Sequence, residues 1–129
     1  MSANDATNSS LNSGGMNGDS MNGDIRKLQQ SLVTRHQSLS TLLGNTTNPT
    51  DAQAILLEMQ EVNFRVMVSG SLLFKQTTAA MDTRIEGVLA ASADLDASLK
   101  SLTRVNDIVR ATSQFLGQVD KVLDAIKLT

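Results

Sequence analysis

The feature that most limits how this chain can fold is a run of regularly spaced, mainly apolar residues near its C-terminus. They recur at alternating steps of three and four positions, and they are Leu102, Val105, Val109, Thr112, Leu116, Val119, Leu123 and Ile126. This spacing keeps side chains on one face of an α-helix and defines the a and d positions of heptads. It predicts a helix over about residues 94–128, packed either within one chain's bundle or in a coiled coil with another chain.

A second periodic segment follows a polar N-terminal stretch. Its residues are spaced by three and four positions, with Arg35 filling one expected apolar slot, and they are Ile25, Leu28, Leu32, Leu39 and Leu42. Asp24 is a suitable N-cap and Gly44 a suitable C-terminal stop. These signals predict a helix over about residues 24–43.

The segment GNTTNPT predicts a turn that leads directly into another helix. Asn48 can cap that helix with Pro49 in its first turn; alternatively, Thr50 and Gln53 form a capping box. A short turn between two helices predicts a helical hairpin. Because no proline follows Pro49, the second helix is expected to span about residues 50–90. Whether the chain breaks at ASADLDAS (91–98) or continues as one rod is left open.

The middle of the second helix, near residues 62–74, is apolar on more than one side. Such a helix is expected to be buried on most of its surface, which points to neighbouring subunits. The small residues around Gly70 are expected to let another backbone approach. The predicted helix-packing interface comprises Val62, Val66, Met67, Gly70, Leu73 and Phe74 on this helix and Val105, Val109, Leu116, Val119 and Leu123 on the last one.

Composition limits the class of protein further. The chain has 129 residues with 11 Lys+Arg against 13 Asp+Glu, and it contains no Cys, Tyr or Trp. Scattered, balanced charge argues against a nucleic-acid-binding surface. Residues 1–23 are polar and glycine-rich, which predicts a disordered tail ahead of a helical assembly domain at 24–129. We expect synthesis in the cytoplasm without a signal peptide, and no transmembrane segment.

The residues that usually carry chemistry form no recognisable constellation. His36 is the sole histidine, and Glu58 and Glu61, one turn apart, are expected to be solvated helix charges. The sequence therefore predicts no catalytic, metal or cofactor-binding residues and no small-molecule substrate. We expect a non-enzymatic all-α protein: a helical hairpin and a long, coiled-coil-like C-terminal heptad helix behind a disordered N-terminal tail. Its partners would be copies of itself, other helical proteins, or both.

Residues 24–90 resemble the small needle and inner-rod subunits of type III secretion systems. The resemblance rests on a helix, a turn containing an Asn-Pro pair and an apolar second helix, and its matching residues are Asn48, Pro49, Leu56, Leu57, Met59, Gln60 and Lys75. It implies a subunit of a filament or rod, packed through its second helix and exported by a type III system. In that family the chain ends soon after the second helix, whereas this chain continues to residue 129.

The alternative is a small coiled-coil subunit of a cytoplasmic, hetero-oligomeric scaffold complex. A polar tail, heptad helices and few aromatic residues are typical of such subunits. The regular C-terminal helix favours this alternative, and the apolar middle of the second helix favours a polymer or a many-helix bundle.

Overall fold

The computed structural model describes residues 21–128, which form four α-helices and no strand. The helices are α1 (Gly23–Gly44), α2 (Pro49–Ser71), α3 (Ala79–Leu99) and α4 (Val105–Lys127). The all-α class and the first hairpin, α1–α2, are thereby confirmed for this part of the chain. Residues 1–20 of the predicted disordered tail lie outside the described residues. Near the end of the predicted tail, Asn22 caps α1 and Gly23 is its first residue, so these two residues belong to the start of the helix.

Side-chain caps explain where three of the helices begin. Asn22 and Asn48 each accept two backbone N–H bonds from the first turn of α1 and α2, and Thr78 accepts one from Met81 at the start of α3. Pro49 occupies the first turn of α2, where its missing N–H costs nothing. The capping arrangement predicted around Asn48 and Pro49 is thus the one that forms.

The helices form a four-sided bundle in which α1 packs beside α2 and α3, and α4 packs beside the same two helices. Ser31 and Arg35 of α1 bond Ser92 and Asp96 of α3 in the same order along the chain, so α1 and α3 run parallel. The equivalent links between α2 and α4, described below, make those helices parallel too. The bundle is therefore two antiparallel hairpins laid side by side.

Joining the two hairpins requires the α2–α3 connection to cross one end of the bundle diagonally. This crossover, residues 72–78, passes the N-terminus of α1. There the Asn22 amide donates hydrogen bonds to the Lys75 carbonyl at 3.1 Å and to the Thr77 hydroxyl at 2.9 Å. The backbone N–H of Asn22 also donates to the Leu73 carbonyl at 2.6 Å. One residue thus caps α1 and holds the crossover in place.

The core draws apolar side chains from all four helices. Its fully buried members are aliphatic, as the scarcity of aromatic residues requires, and they include Ile25, Leu28, Leu32, Ile55, Val62, Ile85, Val119 and Ile126. Both regular periodicities of the sequence, in α1 and in α4, therefore face one shared core. The heptad face of α4 packs against other helices of the same chain. Of the two alternatives for this helix, the bundle within one chain is therefore the one observed.

The predicted helix over residues 50–90 is wrong, because α2 ends at Ser71 and α3 begins at Ala79. The last turn of α2 tightens as the N–H groups of Leu72 and Leu73 bond carbonyls only three residues back, at Ser69 and Gly70. Thr77 and Thr78 then favour a break followed by a new helix. Their β-branched side chains lower helix propensity, which disfavours continuation of α2, and a Thr hydroxyl can cap the start of α3. Without this break, α3 could not return to pack beside α1.

The predicted helix over residues 94–128 is also wrong at its start. Helix α3 runs through the undecided segment 91–98 to Leu99, and residues 100–104 form the turn before α4. The Ser101 hydroxyl donates to the Ser98 carbonyl, and the N–H of Leu102 bonds the Leu99 carbonyl. These local bonds compete with helix continuation, as is usual for serine. Leu102, the first residue of the heptad run, therefore lies in a turn.

Candidate interaction surface on α2

The outer face of α2 presents large apolar side chains to solvent. Leu57, Phe64 and Met67 are 53%, 59% and 66% exposed, and Phe74, in the turn that follows α2, is 62% exposed. Gln60 lies between Leu57 and Phe64 in this row, and Ser71 lies between Met67 and Phe74. We call these six residues the α2 seam. Contiguous exposed apolar surface of this kind marks interaction sites in soluble proteins.

The geometry of α2 explains why this row is left uncovered. Ile55, Val62 and Ser69, spaced by seven, are fully buried and point into the core. At 3.6 residues per turn, the α2 seam lies on the opposite side of the helix. The seam residues carry no charge, and their positions advance by three, four, three, four and three. This helix therefore carries two heptad faces, one in the core and one in solvent.

The outer faces of the other helices are different in kind. Helix α1 exposes mainly Arg, Lys, Gln, Ser and Thr with a single large apolar residue, Val33; α3 exposes mostly alanine and charged residues; and α4 exposes polar residues and glycine before Leu128. Scattered exposed apolar residues are normal on protein surfaces. Among the described residues, the concentration of exposed Leu, Phe and Met on α2 is what distinguishes this face.

The structure places the predicted interface residues in three different environments. Four are in the core of this chain, namely Val62, Leu116, Val119 and Leu123. Three are half-buried and pack against the core, namely Val66, Leu73 and Val105, and Val109 on α4 is half-buried. Met67 and Phe74 are exposed in the α2 seam. Their helix packing is therefore mostly within the chain, and two of them belong to the face that remains open.

Gly70, the remaining member, faces α1. A side-chain methyl group built there would lie 2.8 Å from Nε2 of Gln29, and all other neighbours within 4 Å belong to that same side chain. Gln29 donates to the Val66 carbonyl at 3.4 Å, over the surface that Gly70 leaves free. The expected close approach is thus made by a side chain of the same subunit, and no other backbone comes near.

Sequence reasoning missed Leu57 and Phe64 as seam members. The available signal was the step of seven between them, and the same step between Met67 and Phe74. The apolar excess on α2 is visible in the sequence, but the pattern does not separate the face that the chain covers from the face that it leaves in solvent. The excess reflects one buried face and one exposed face rather than burial all round.

Polar contacts join α2 to α4 beside the α2 seam. Arg65 makes a two-pronged contact with Asp120, at 2.9 Å from Nε and 2.8 Å from Nη2, and also pairs with Glu61 at 3.0 Å. Glu58 lies one turn before Glu61 on α2. The Ser113 hydroxyl on α4 donates to the Glu58 carboxylate and lies 3.0 and 2.9 Å from its two oxygens. These contacts fix the register of the parallel pair and turn the charges of α2 toward α4.

The interpretation of Glu58 as a solvated charge is wrong, because its side chain is buried between α2 and α4. Burial raises the pKa of Glu58 above its ordinary value, and the hydrogen bond from Ser113 offsets part of that effect. Glu61 is exposed, as expected. The sequence offered one hint, since position 58 lies near the buried side defined by Ile55 and Val62.

This raised pKa gives a pH-dependent contribution to stability. The folded state binds the Glu58 proton more tightly than the unfolded state does. The contribution of Glu58 to the free energy of unfolding should therefore increase as the pH falls from neutral through the raised pKa toward the ordinary carboxyl value, and level off below it. Urea denaturation of wild type and Glu58→Gln between pH 7.5 and pH 4 measures this contribution as the difference between their curves.

The matched control is Asp94→Asn, which removes one exposed carboxylate from α3. It measures how stability changes when one exposed carboxylate is lost, and the Glu58→Gln difference is compared with it. If the Glu58→Gln difference does not depend on pH, burial does not perturb that carboxyl.

A second polar cluster surrounds Arg35, which is 2% exposed. Its Nη1 lies 2.7 Å from the Asp96 carboxylate, and its Nη2 donates to the Ser92 carbonyl at 3.2 Å and hydroxyl at 3.1 Å. The guanidinium also lies 5.8 Å from the ring centroid of Phe115 on α4. Arg35 therefore links α1 to α3 and reaches across the bundle, while its buried Nε has no partner.

Arg35 also borders a cavity of about 490 Å³ at the end of the bundle away from the crossover. Leu39, Leu42 and Leu99 supply apolar walls, and Asp96 and Lys100 supply charges. Asp96 neutralises Arg35 at 2.7 Å, so among the described residues Lys100 is the one lining charge left without a counter-charge in the cavity.

Residues 21–128 also lack the features of a metal site and of a membrane span. No cluster of three or more His, Cys, Asp or Glu side chains with suitable geometry occurs there. His36 lies half-buried on α1. None of the four helices is both long and apolar enough to cross a bilayer.

No protein-family model, curated protein or solved structure matches this chain. Within residues 21–128, the α2 seam is the most distinctive surface, because it concentrates exposed Leu, Phe and Met.

Proposed function

We propose that the protein is a non-enzymatic assembly subunit that associates through the α2 seam. The observation that carries this proposal is the row of apolar side chains, each more than half exposed, on a helix face without charge. Removing such side chains from water favours association, and aromatic residues and Met are enriched where proteins pack together. The polar outer faces of α1, α3 and α4 would remain in solvent.

Two kinds of assembly are consistent with this surface. The α1–α2 hairpin, with its Asn48–Pro49 turn, supports a rod or filament subunit of the type III secretion needle or inner-rod kind, exported by that system. The α3–α4 hairpin already covers one side of α1–α2, and among the described residues the α2 seam is the apolar face that stays open. That arrangement supports a closed oligomer or a subunit of a cytoplasmic scaffold complex, because one seam joins two surfaces and then is used up.

Sedimentation velocity of the full chain over a dilution series tests the proposal. The wild type should sediment above its monomer mass of 13.8 kDa at high concentration, and Phe64→Glu should sediment as a monomer, because it places a charge in the seam. Val33→Glu is the matched control, since it adds the same charge at an exposed apolar residue on α1. Circular dichroism verifies that both variants stay helical.

A growing series of species would favour the rod, and one defined larger species would favour the closed oligomer. A wild type that stays monomeric at all concentrations overturns self-assembly. Equal loss of association in Phe64→Glu and Val33→Glu would show that the α2 seam is not the interface.

A further inference from the structure

Resting on the proposed function, we infer that the partner of the α2 seam is a second copy of this chain, packed antiparallel, with Phe64 against Met67 of the other copy and Leu57 against its Phe74. The inference starts from the order of residues in the seam. Reading from either end, it runs apolar, polar, apolar, apolar, polar, apolar: Leu57, Gln60, Phe64, Met67, Ser71 and Phe74.

The spacing of the seam residues is symmetric, like the order of apolar and polar residues along the seam. The steps of three, four, three, four and three are the same in both directions. Two copies related by a two-fold axis between Phe64 and Met67 therefore align the layers that lie within α2, and Phe74, in the turn after α2, follows at the end that meets Leu57 of the other copy. An a position meets a d position in each layer, as antiparallel helix pairs require, and Gln60 meets Ser71 of the other copy. An isologous contact of this kind closes on itself.

The sizes of the side chains favour this direction over the parallel one. In the antiparallel register each apolar layer combines one aromatic ring with one aliphatic side chain, so the layers have similar volumes. In a parallel register Phe64 and Phe74 would each face their own copy, and Leu57 and Met67 likewise, so bulky layers would alternate with smaller ones. Even layers pack with fewer voids. Antiparallel α2 helices also bring opposite ends of their dipoles together.

The area of the seam is sufficient for a modest dimer. With more than half of each side chain exposed, its four apolar residues offer on the order of 400 Å² per copy. Leu56, Asn63 and Val68 flank the seam, are uncharged and are at least partly exposed, and they bring each copy closer to the roughly 800 Å² of a standard interface. An interface of this size lies at the small end of the range for specific complexes, so we expect the dimer to dissociate on dilution.

Charge does not oppose the pairing. Glu61 is paired with Arg65 of its own helix at 3.0 Å, and Arg65 is also held by Asp120. Two copies therefore meet across uncharged surfaces, without the like-charge contacts that keep soluble proteins apart.

Disulfide trapping tests the register directly, because the chain has no cysteine of its own. The experiment uses the full-length single variants Gln60→Cys and Ser71→Cys, and each variant is oxidised by itself at high concentration. In a third sample the two variants are reduced, mixed and then oxidised together. In the antiparallel dimer these positions face each other, whereas two copies of the same position lie about 16 Å apart along the helix axis. A disulfide requires Cα atoms within about 7 Å.

We expect at least ten-fold more covalent dimer from the mixture than from either variant by itself, on a non-reducing gel. Val33→Cys, outside the seam, is the control and should form little dimer. Sedimentation of the wild type should give a single dimeric species, and Phe64→Glu should raise the dissociation constant by about 100-fold or more, since a symmetric interface carries each substitution twice.

The outcomes separate this inference from the proposed function. Covalent dimer from Gln60→Cys or Ser71→Cys by itself would indicate a parallel pair and overturn the inferred register. A wild type that associates through the seam, but gives no trapped dimer in the mixture, also overturns the register and leaves the assembly function standing. A monomeric wild type overturns both.

Discussion

Replacing Arg35 with alanine is expected to lower the free energy of unfolding by about 2–4 kcal/mol. The substitution removes a long, buried side chain from α1 together with its contact over the Phe115 ring. It also breaks the contacts with Asp96 and Ser92. The loss should stay below that of a stranded buried ion, because the Asp96 side chain is 56% exposed and can be rehydrated. Urea denaturation at neutral pH measures the change.

Arg35→Met is the matched variant, and we expect its stability to be within about 1 kcal/mol of wild type, or greater. Methionine fills much of the same volume in the apolar slot of α1. It also removes a buried charge whose Nε lacks a hydrogen-bond partner. If Arg35→Met were as unstable as Arg35→Ala, the bonds to Asp96 and Ser92 would outweigh packing as the reason the site needs arginine.

Asn22→Ala is expected to lower the free energy of unfolding by about 2–3 kcal/mol. The variant loses the side chain that accepts from the N–H groups of Asp24 and Ile25, and it loses the two bonds that the same amide donates to the crossover. A lost N-cap costs about 1 kcal/mol. Each further hydrogen bond contributes about 0.5–1.5 kcal/mol. Thermal and urea unfolding provide the two measurements.

Asn48→Ala isolates the capping part of that loss. Asn48 accepts from two N–H groups in the same geometry, at 2.9 and 3.1 Å. Within residues 21–128, its amide donates to no distant segment. We expect a loss of about 1 kcal/mol. The excess in Asn22→Ala then measures the hold on the crossover, and equal losses in the two variants would mean that the crossover does not depend on Asn22.

The sequence predicts the helices best where periodicity and caps agree. For α1 and the start of α2, the expected bounds lie within about one residue of the observed ones, because Gly44, Asn48 and Pro49 each act locally. The break at residues 72–78 has no proline or glycine to signal it after Gly70. It is imposed by the return of α3 beside α1, which is a long-range effect.

The site could be predicted only in part for a related reason. A heptad pattern shows that Val119, Leu123 and Met67 lie on helix faces, but it does not say which face the rest of the chain will cover. The structure buries Val119 and Leu123 and leaves Met67 exposed. Arg35 and Glu58 were likewise visible as charges at or near core-facing positions, yet their partners, Asp96 and Ser113, lie more than fifty residues away in sequence.

The diagonal crossover gives the bundle two unequal ends. The crossover and the entry to α1 share one end, and since α4 runs parallel to α2, the last described residues lie there as well. Within the part of the chain that the structure describes, the opposite end consists of two short turns, residues 45–48 and 100–104, whose hydrogen bonds are local. Exposed turns of this kind tolerate insertion best. An epitope, fluorophore or second domain inserted there would leave the crossover undisturbed, so that end is the natural attachment point for engineering this protein.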